Sequence, residues 1–499
     1  MTTYSTPALL LALSATLTGV VSPAAQAAPT APAPRALLWE NCARAGGPET
    51  QECATLSVPL DYRDPGGKRI SLAVSRVLSD RPQARRGTLL VIAGGPGGSG
   101  VQRLAQKGVA LQRELKGAYD LVSLDPRGVG GSATAGCGLR PDDRRLPNLR
   151  SWPAADGSID ANTARSQRIA DACHRNGGPL LRSMSTVNEA RDIETFRVAL
   201  GVEKLSAWGI SYGTYVGAVY AQKYPQRTDR WVLDSSGDPD ARRVARGWLA
   251  NTGQAVEDRF PDFAAWAAHP DRDAEGLRLV QRPQDLKPAF LRLARALDLA
   301  PRPTTTPHIP LDGNLLRQSL HLALYSDAAF PQLARLIQAV QDPTGRPVLS
   351  DDLVQPMGDE AAAVTMAVIC NDVRWPGHVP SYRRAVAADR AAFPLTAGLS
   401  QNITPCAFWK DGPAEPPTRI TDDGPSNVLM IQARRDPATP HFGGLKMREA
   451  LGDRARLVTV ETGGHSVYLG AGNACGDRAV TTFLTTGERP RTDVSCPSR

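Results

Sequence analysis

Apolar and polar positions alternate in two short runs near the start of the chain, "ATLSVPLDY" (54–62) and "RISLAVSRV" (69–77). A period of two predicts half-buried, antiparallel strands. The pattern then changes. "GTLLVIAGGPGGSG" (87–100) and "AYDLVSLDPRGVGGS" (118–132) are continuous apolar runs that end in glycine-rich loops. Such runs predict strands buried on both faces. "VNEARDIETFRVALG" (187–201) carries Val187, Ala190, Ile193, Phe196, Val198 and Leu200 at helical spacing and stops at Gly201. A strand, a sharp corner and a helix follow in "LSAWGISYGTYVGAVYAQKYP" (205–225), then a further strand in "DRWVLDSSGD" (229–238). Strands alternating with helices predict a mostly parallel sheet covered on both faces.

From about Asp240 to Ile420 the strand-like runs vanish. Helical periodicity takes over, as in "PAFLRLARALDLA" (288–300) and "PQLARLIQAVQD" (331–342). Strands return in "SNVLMIQARRD" (426–436) and "ARLVTVETGGH" (455–465). The expected organisation is one α/β core in two pieces, residues 39–239 and 421–499, interrupted by a helical cap at 240–420. No internal repeat is present.

The first residues read as a targeting segment. "ALLLALSATLTGVV" (8–21) is followed by the small-x-small pattern Ala25-Gln26-Ala27, which predicts a signal peptide over 1–27 and cleavage after Ala27. No Lys or Arg precedes the run, a departure from the usual signal pattern. The run is too short to span a bilayer. The Pro/Ala-rich residues 28–38 read as a linker or pro-piece. The eight cysteines (Cys42, Cys53, Cys137, Cys173, Cys370, Cys406, Cys475, Cys496) include no C-x-x-C and no Cys/His ligand spacing. With an export signal this favours disulfides over a metal site. Joining sequential neighbours is the simplest pairing. A secreted protein is expected, with cell-wall association as a variant of that expectation.

Formal charge is +8. No basic stripe is interleaved with aromatics, so nucleic acid is not expected as a partner. "RRVARG" (242–247) reads as a solvated face.

Gly209-Ile210-Ser211-Tyr212-Gly213 places a serine between glycines, after a strand and before a helix. This is the pattern of a nucleophile elbow, in which the glycines let neighbouring chain approach a strained serine. A serine hydroxyl needs a base and the base an orienting acid. In this architecture the order along the chain is serine, acid, histidine. Asp436 ends one late strand and His465 follows the next. His441 is the rival base, but it lies within the following helix. The remaining histidines read as surface or packing residues. A transition-state oxyanion needs two N–H donors. Tyr212 supplies one, and the glycine loop at 93–100 the other. That loop matches neither phosphate-binding fingerprint. Asp125 precedes the serine and reads as scaffold, pairing with Arg127 to brace the glycine loop.

Together "GGPGGSG", "DPRGVGGS", "ARDIETFRVALG", "WGISYGTYVGAVYAQKYP", "WVLDSSGDPD", "RRDPATP" and "GGHSVY" resemble the secreted α/β-hydrolase aminopeptidases. Among these the chain resembles the tripeptidyl aminopeptidases of filamentous actinobacteria, relatives of prolyl iminopeptidase. The resemblance runs from Trp39 to Cys496 and is weakest in the cap. It implies an α/β-hydrolase fold, Ser211 as nucleophile, Asp436 as acid, His465 as base, and Gly95 and Tyr212 as oxyanion donors. Two positions depart from the pattern: Ala93 stands where prolyl iminopeptidases have His, and Ser235-Ser236 where many relatives have Gly-Val.

The expected function is an exported serine exopeptidase that releases short peptides, tripeptides above all, from free N-termini. No metal or organic cofactor is expected, and a monomer without a membrane span. Reading a free amine calls for a carboxylate in the cap, about 10 Å from the serine for three extended residues. Asp372 is the first choice, with Asp359 and Glu360 as alternatives. Two other readings stand beside this one: a secreted carboxylesterase with the same triad, and a binding protein on a hydrolase scaffold whose catalysis has lapsed.

Overall fold

The computed structural model describes residues 1–2 and 36–498. The expected signal peptide and most of the linker lie outside the described residues. The strands in chain order are β1 (Glu40–Asn41), β2 (Glu52–Pro59), β3 (Arg69–Val77), β4 (Gly87–Ile92), β5 (Tyr119–Leu124), β6 (Leu205–Ile210), β7 (Thr228–Asp234), β8 (Val428–Arg435), β9 (Ala455–Gly463) and β10 (Val494–Cys496). They form one sheet in the order β1-β2-β3-β5-β4-β6-β7-β8-β9-β10. The alternating runs are the antiparallel end, where β2 pairs with β3 and β3 with β5. From β5 to β10 every pairing is parallel.

The buried strands divide their side chains between two layers. Leu90 and Ile92 of β4 face a large core closed by the helices Asp160–Asn176, Thr186–Ala199 and Tyr212–Lys223. Leu89 and Val91 face the opposite layer, closed by Gly100–Leu115 and Ala474–Thr486. Both faces are covered, which is why these strands are apolar throughout rather than alternating.

Between β7 and β8 the described chain is helical apart from one isolated bridge, Arg302 to Leu311. This region is not uniform. The helices Val244–Ala268, Leu286–Leu299, Gly313–Ala323 and Phe330–Gln341 build a core of their own around Phe260, Phe263, Phe290 and Phe330. The helix Asp359–Asp372 instead packs Ala362, Ala363, Val364, Met366 and Ala367 into the main core. Its all-round apolar surface is the reason. A second excursion, between β5 and Thr186–Ala199, joins the cap. Trp152 donates to Gln318 Oε1 at 3.0 Å, and Asn402 donates to the Ser151 carbonyl at 2.5 Å.

Four disulfides join Cys42 to Cys53, Cys137 to Cys173, Cys370 to Cys406 and Cys475 to Cys496. Among the described residues no helix is long and apolar enough to cross a membrane.

Candidate active site

Ser211 sits at the corner between β6 and the helix Tyr212–Lys223, with φ 57° and ψ −124°. This is a conformation that L-residues rarely hold, and the neighbouring glycines make room for it. A Cβ at Gly213 would meet the carbonyls of Ile92 and Ala93 at 2.5 and 2.7 Å. One at Gly209 would meet the Gly213 carbonyl at 2.5 Å. The corner is therefore wedged against the end of β4, next to the glycine loop.

Asp234, at the end of β7, ties the pieces together. Its carbonyl accepts the Ser211 N–H at 2.9 Å. Its fully buried carboxylate accepts the N–H groups of Val467 and Tyr468 at 2.8 and 2.9 Å, with further bonds from Ser235 Oγ and Trp208 Nε1. Ser235 accepts the Ser466 N–H at 3.0 Å, and Ser236 N–H donates to Gln432. The departing Ser235 thus anchors the loop that carries His465, while Ser236 is tied to β8 through its backbone.

His465 Nδ1 lies 2.8 Å from Asp436 Oδ2 and 3.0 Å from Oδ1. Asp436 is buried and also accepts from Ala438 N–H, Thr439 N–H and Thr439 Oγ1 at 2.8 to 2.9 Å. Tyr325 packs edge-on against the imidazole at 5.3 Å, and its carbonyl accepts the backbone N–H of His465 at 2.9 Å. Burial pulls the His465 pKa down, but the charge and hydrogen bond of Asp436 outweigh it, and the net shift is upward. With Nδ1 committed to Asp436, Nε2 is the nitrogen left to take a proton. His441 instead bonds Thr459 Oγ1 at 2.9 Å beside Arg434.

Gly95 and Tyr212 line one cavity with Ser211. Neither backbone N–H has an intramolecular acceptor among the described residues. Gly95 has φ +130°, and a Cβ there would meet Gly97 N and Gly98 N at 2.7 and 2.8 Å. The loop is braced by Asp125, which accepts from Ser99 Oγ at 2.6 Å and Val101 N–H at 3.0 Å. The expected Asp125–Arg127 pair does not form. Arg127 is buried against Asp192 at 2.7 Å, because that carboxylate faces it from the helix Thr186–Ala199.

The expected amine-binding acids are placed elsewhere. Asp372 is buried, with Thr186 N–H and Thr186 Oγ1 on its two oxygens at 2.8 and 2.5 Å. It belongs to a polar cluster beneath the elbow, in which the Tyr212 hydroxyl meets Thr186 Oγ1 at 2.8 Å and Glu189 at 3.1 Å. Burial raises Asp372 to about 6 and Glu189 to about 8. Asp359 accepts the N–H groups of Gly138 and Leu139, both at 2.7 Å, and Glu360 is exposed. None of the three lines the Ser211 cavity.

That cavity, ≈ 120 Å³, is walled by Trp248, Thr365, Met366, Ile369 and Thr439 among others. It shares Arg150, Leu249, Thr252, His321 and Thr404 with a second cavity of ≈ 500 Å³ under the cap. "RRVARG" is not the solvated face expected. Arg242 is exposed and pairs with Asp240, but Arg243 and Arg246 line the larger cavity. Their spacing of three, on the turns that open the helix Val244–Ala268, was the available signal. His321 is buried with its Nε2 unpartnered, and burial first, then Arg150, lowers its pKa to about 4. Asp389 is 5 % exposed and has an unpartnered Oδ2.

A serine corner, an oriented Asp–His pair and two unpaired N–H groups on one parallel sheet define a serine hydrolase of the α/β-hydrolase class. A family described as "TAP-like protein" matches residues 393–496. The chain is 32 % identical over 92 % of its length to a tripeptidyl aminopeptidase of Streptomyces lividans, covering 86 % of that protein. It is 27 % identical to the serine protease Hip1 of Mycobacterium tuberculosis, over 92 % of this chain and 90 % of that one. It is 30 % identical to a protein named carboxylesterase B from the same species, over 92 % and 89 %. The chain belongs to the tripeptidyl aminopeptidase family, and it is a serine exopeptidase.

Proposed function

We propose that the protein removes tripeptides from the free N-termini of peptides and proteins through an acyl-enzyme on Ser211. The acyl-enzyme part of this reading is supported by the double attachment of Asp234, which fixes the serine corner and the histidine loop to the same strand end, and the tripeptide part by the similarity to the Streptomyces lividans tripeptidyl aminopeptidase. Ser211 Oγ attacks the carbonyl of the third residue, and its proton passes to His465 Nε2. Asp436 stabilises the imidazolium. The N–H groups of Gly95 and Tyr212 receive the oxyanion. On collapse, His465 returns the proton to the leaving amine. Water then attacks the ester with His465 again as base, which frees the tripeptide and restores Ser211.

Asp389, which is not itself a lining residue but lies one turn beyond Ala385 of the larger cavity's wall, takes the substrate amine. It follows Ser381 and Ala385 at intervals of four on one helix, and both of those line the larger cavity. Ser400, which lines the same cavity, is its neighbour. Export to an oxidising compartment accords with the four disulfides.

Initial rates on four matched chromogenic substrates test the reading: a free tripeptide anilide, its N-acetylated twin, a single-residue anilide and a short acyl ester, with Ser211→Ala as control. Fast cleavage of the free tripeptide, and loss on acetylation, is expected. Ester cleavage with no anilide cleavage would favour the carboxylesterase reading, which the similarity to carboxylesterase B keeps in view.

A further inference from the structure

The larger cavity carries an imbalance of charge. Arg150, Arg243 and Arg246 line it, each half-buried. No Asp or Glu lines either it or the Ser211 cavity. Among the described residues none of the three arginines forms an ion pair, although the chain pairs most of its buried arginines, such as Arg127 with Asp192 and Arg317 with Asp298. Arg150 lines both cavities, and Tyr325, the ring that packs on His465, lines the Ser211 cavity with it, so Arg150 stands at the join of the two. Arg246 and Tyr382 line the larger cavity together. Two hydroxyls in the same walls, Ser400 Oγ and Thr404 Oγ1, are buried without partners.

Cations gathered in a low-dielectric cleft focus a positive potential, and an anion brought there is held more strongly than at an open surface. Guanidinium groups offer paired N–H donors matched to a carboxylate. Three arginines without a carboxylate partner in one cavity leave a positive charge that an anionic occupant balances.

We propose that this cavity binds an acidic side chain within the tripeptide that is released, so that the enzyme selects N-termini bearing Asp or Glu among their first three residues. The proposal rests on the exopeptidase reading above, because it is the acyl part of the substrate that must lie under the cap. Arg150, next to the site of attack, meets the residues nearest the scissile bond. Arg243 and Arg246 meet the residues farther out. The acidic side chain also offsets the repulsion that a free amine would feel from the same arginines.

The test is a set of free tripeptide anilides that differ at one position only, with Glu, Gln or Lys placed first, second or third. At one position or more, kcat/KM should fall from Glu to Gln by roughly tenfold to a hundredfold, and further to Lys. In Arg243→Gln/Arg246→Gln the Glu-to-Gln ratio should collapse toward one, and Arg243→Lys/Arg246→Lys should restore part of it. Labelling of Ser211 by a fluorophosphonate reports whether each variant is folded and its nucleophile active. A tetrapeptide acid and its amide, compared on the same enzyme, separate a side-chain carboxylate from a terminal one. A preference for the acid that matches the Glu effect would assign the arginines to the chain end and overturn the proposal. Equal rates for Glu and Gln at all three positions would overturn it, as would an unchanged ratio in a labelled double Gln variant. If the wild type takes up the fluorophosphonate but cleaves none of the free tripeptide anilides, the exopeptidase reading fails, and this proposal with it.

Discussion

Ser211 donates its backbone N–H to the carbonyl of Asp234 at 2.9 Å, while the carboxylate of the same aspartate holds the turn that follows His465. One residue of β7 therefore ties the Ser211 corner to the loop that carries His465. Asp234→Asn keeps the backbone bond but offers an NH2 group to one of two inward N–H donors. Leaving one such donor unsatisfied costs about 1–3 kcal/mol. We expect a lower Tm and a fall in kcat larger than the rise in KM. An unchanged kcat in a folded variant would show that the histidine loop is fixed by other means.

The pH profile follows from His465. Only the neutral imidazole can accept the serine proton, and its pKa is raised from the ordinary 6.5. Activity is therefore present above the raised pKa and is lost as pH falls through it. The acid limb of kcat/KM should have its midpoint above 6.5. Asp436→Asn should lower kcat by roughly 10³–10⁴-fold, since the imidazole then loses its tautomer and orientation.

Two buried aspartates give opposite expectations. Burial raises Asp389 to about 6, so it is charged above that pH and loses its charge below it. KM for a free tripeptide anilide should rise as pH drops through about 6, and Asp389→Asn should raise it at every pH by roughly tenfold or more. The N-acetylated twin should show neither change. Asp372→Asn should lower Tm by weakening the Thr186 bonds and leave the free-amine preference in place. The opposite outcome would return the amine site to Asp372.

The Cys370–Cys406 bridge ties the helix Asp359–Asp372 to the turn that carries Pro405, and both line the Ser211 cavity. It closes a separation of 36 residues. Replacing both cysteines by serine should cost about 3–4 kcal/mol on the chain-entropy account. Thermal unfolding with and without reductant measures this. No change in Tm would show that packing alone holds the segment.

The parallel sheet was legible because its strands are buried on both faces and read as unbroken apolar runs. The strand-end placement of Ser211, Asp436 and His465 was legible because each sits at the end of such a run, where chain order limits the alternatives. The cavity was not. Arg150 lies in an excursion with no strong period, and Arg243 and Arg246 sit in a charged stretch indistinguishable from a solvated face. Asp389 is one acid among many on amphipathic helices, and only the packing of Ser400 against it singles it out. Asp372 misled for the converse reason: an acid beside a cysteine suggested a rigid recognition group, but the helix that bears it is buried in the main core, and its carboxylate is used by Thr186.

The number of residues released carries the central claim, and product analysis tests it most directly. A ten-residue peptide with a free N-terminus and a Glu among its first three residues should be incubated briefly with the enzyme and the products weighed by mass spectrometry. The N-terminal tripeptide and the seven-residue remainder are expected as first products, and neither with Ser211→Ala. Single amino acids, or internal fragments that appear equally from the N-acetylated peptide, would contradict that claim.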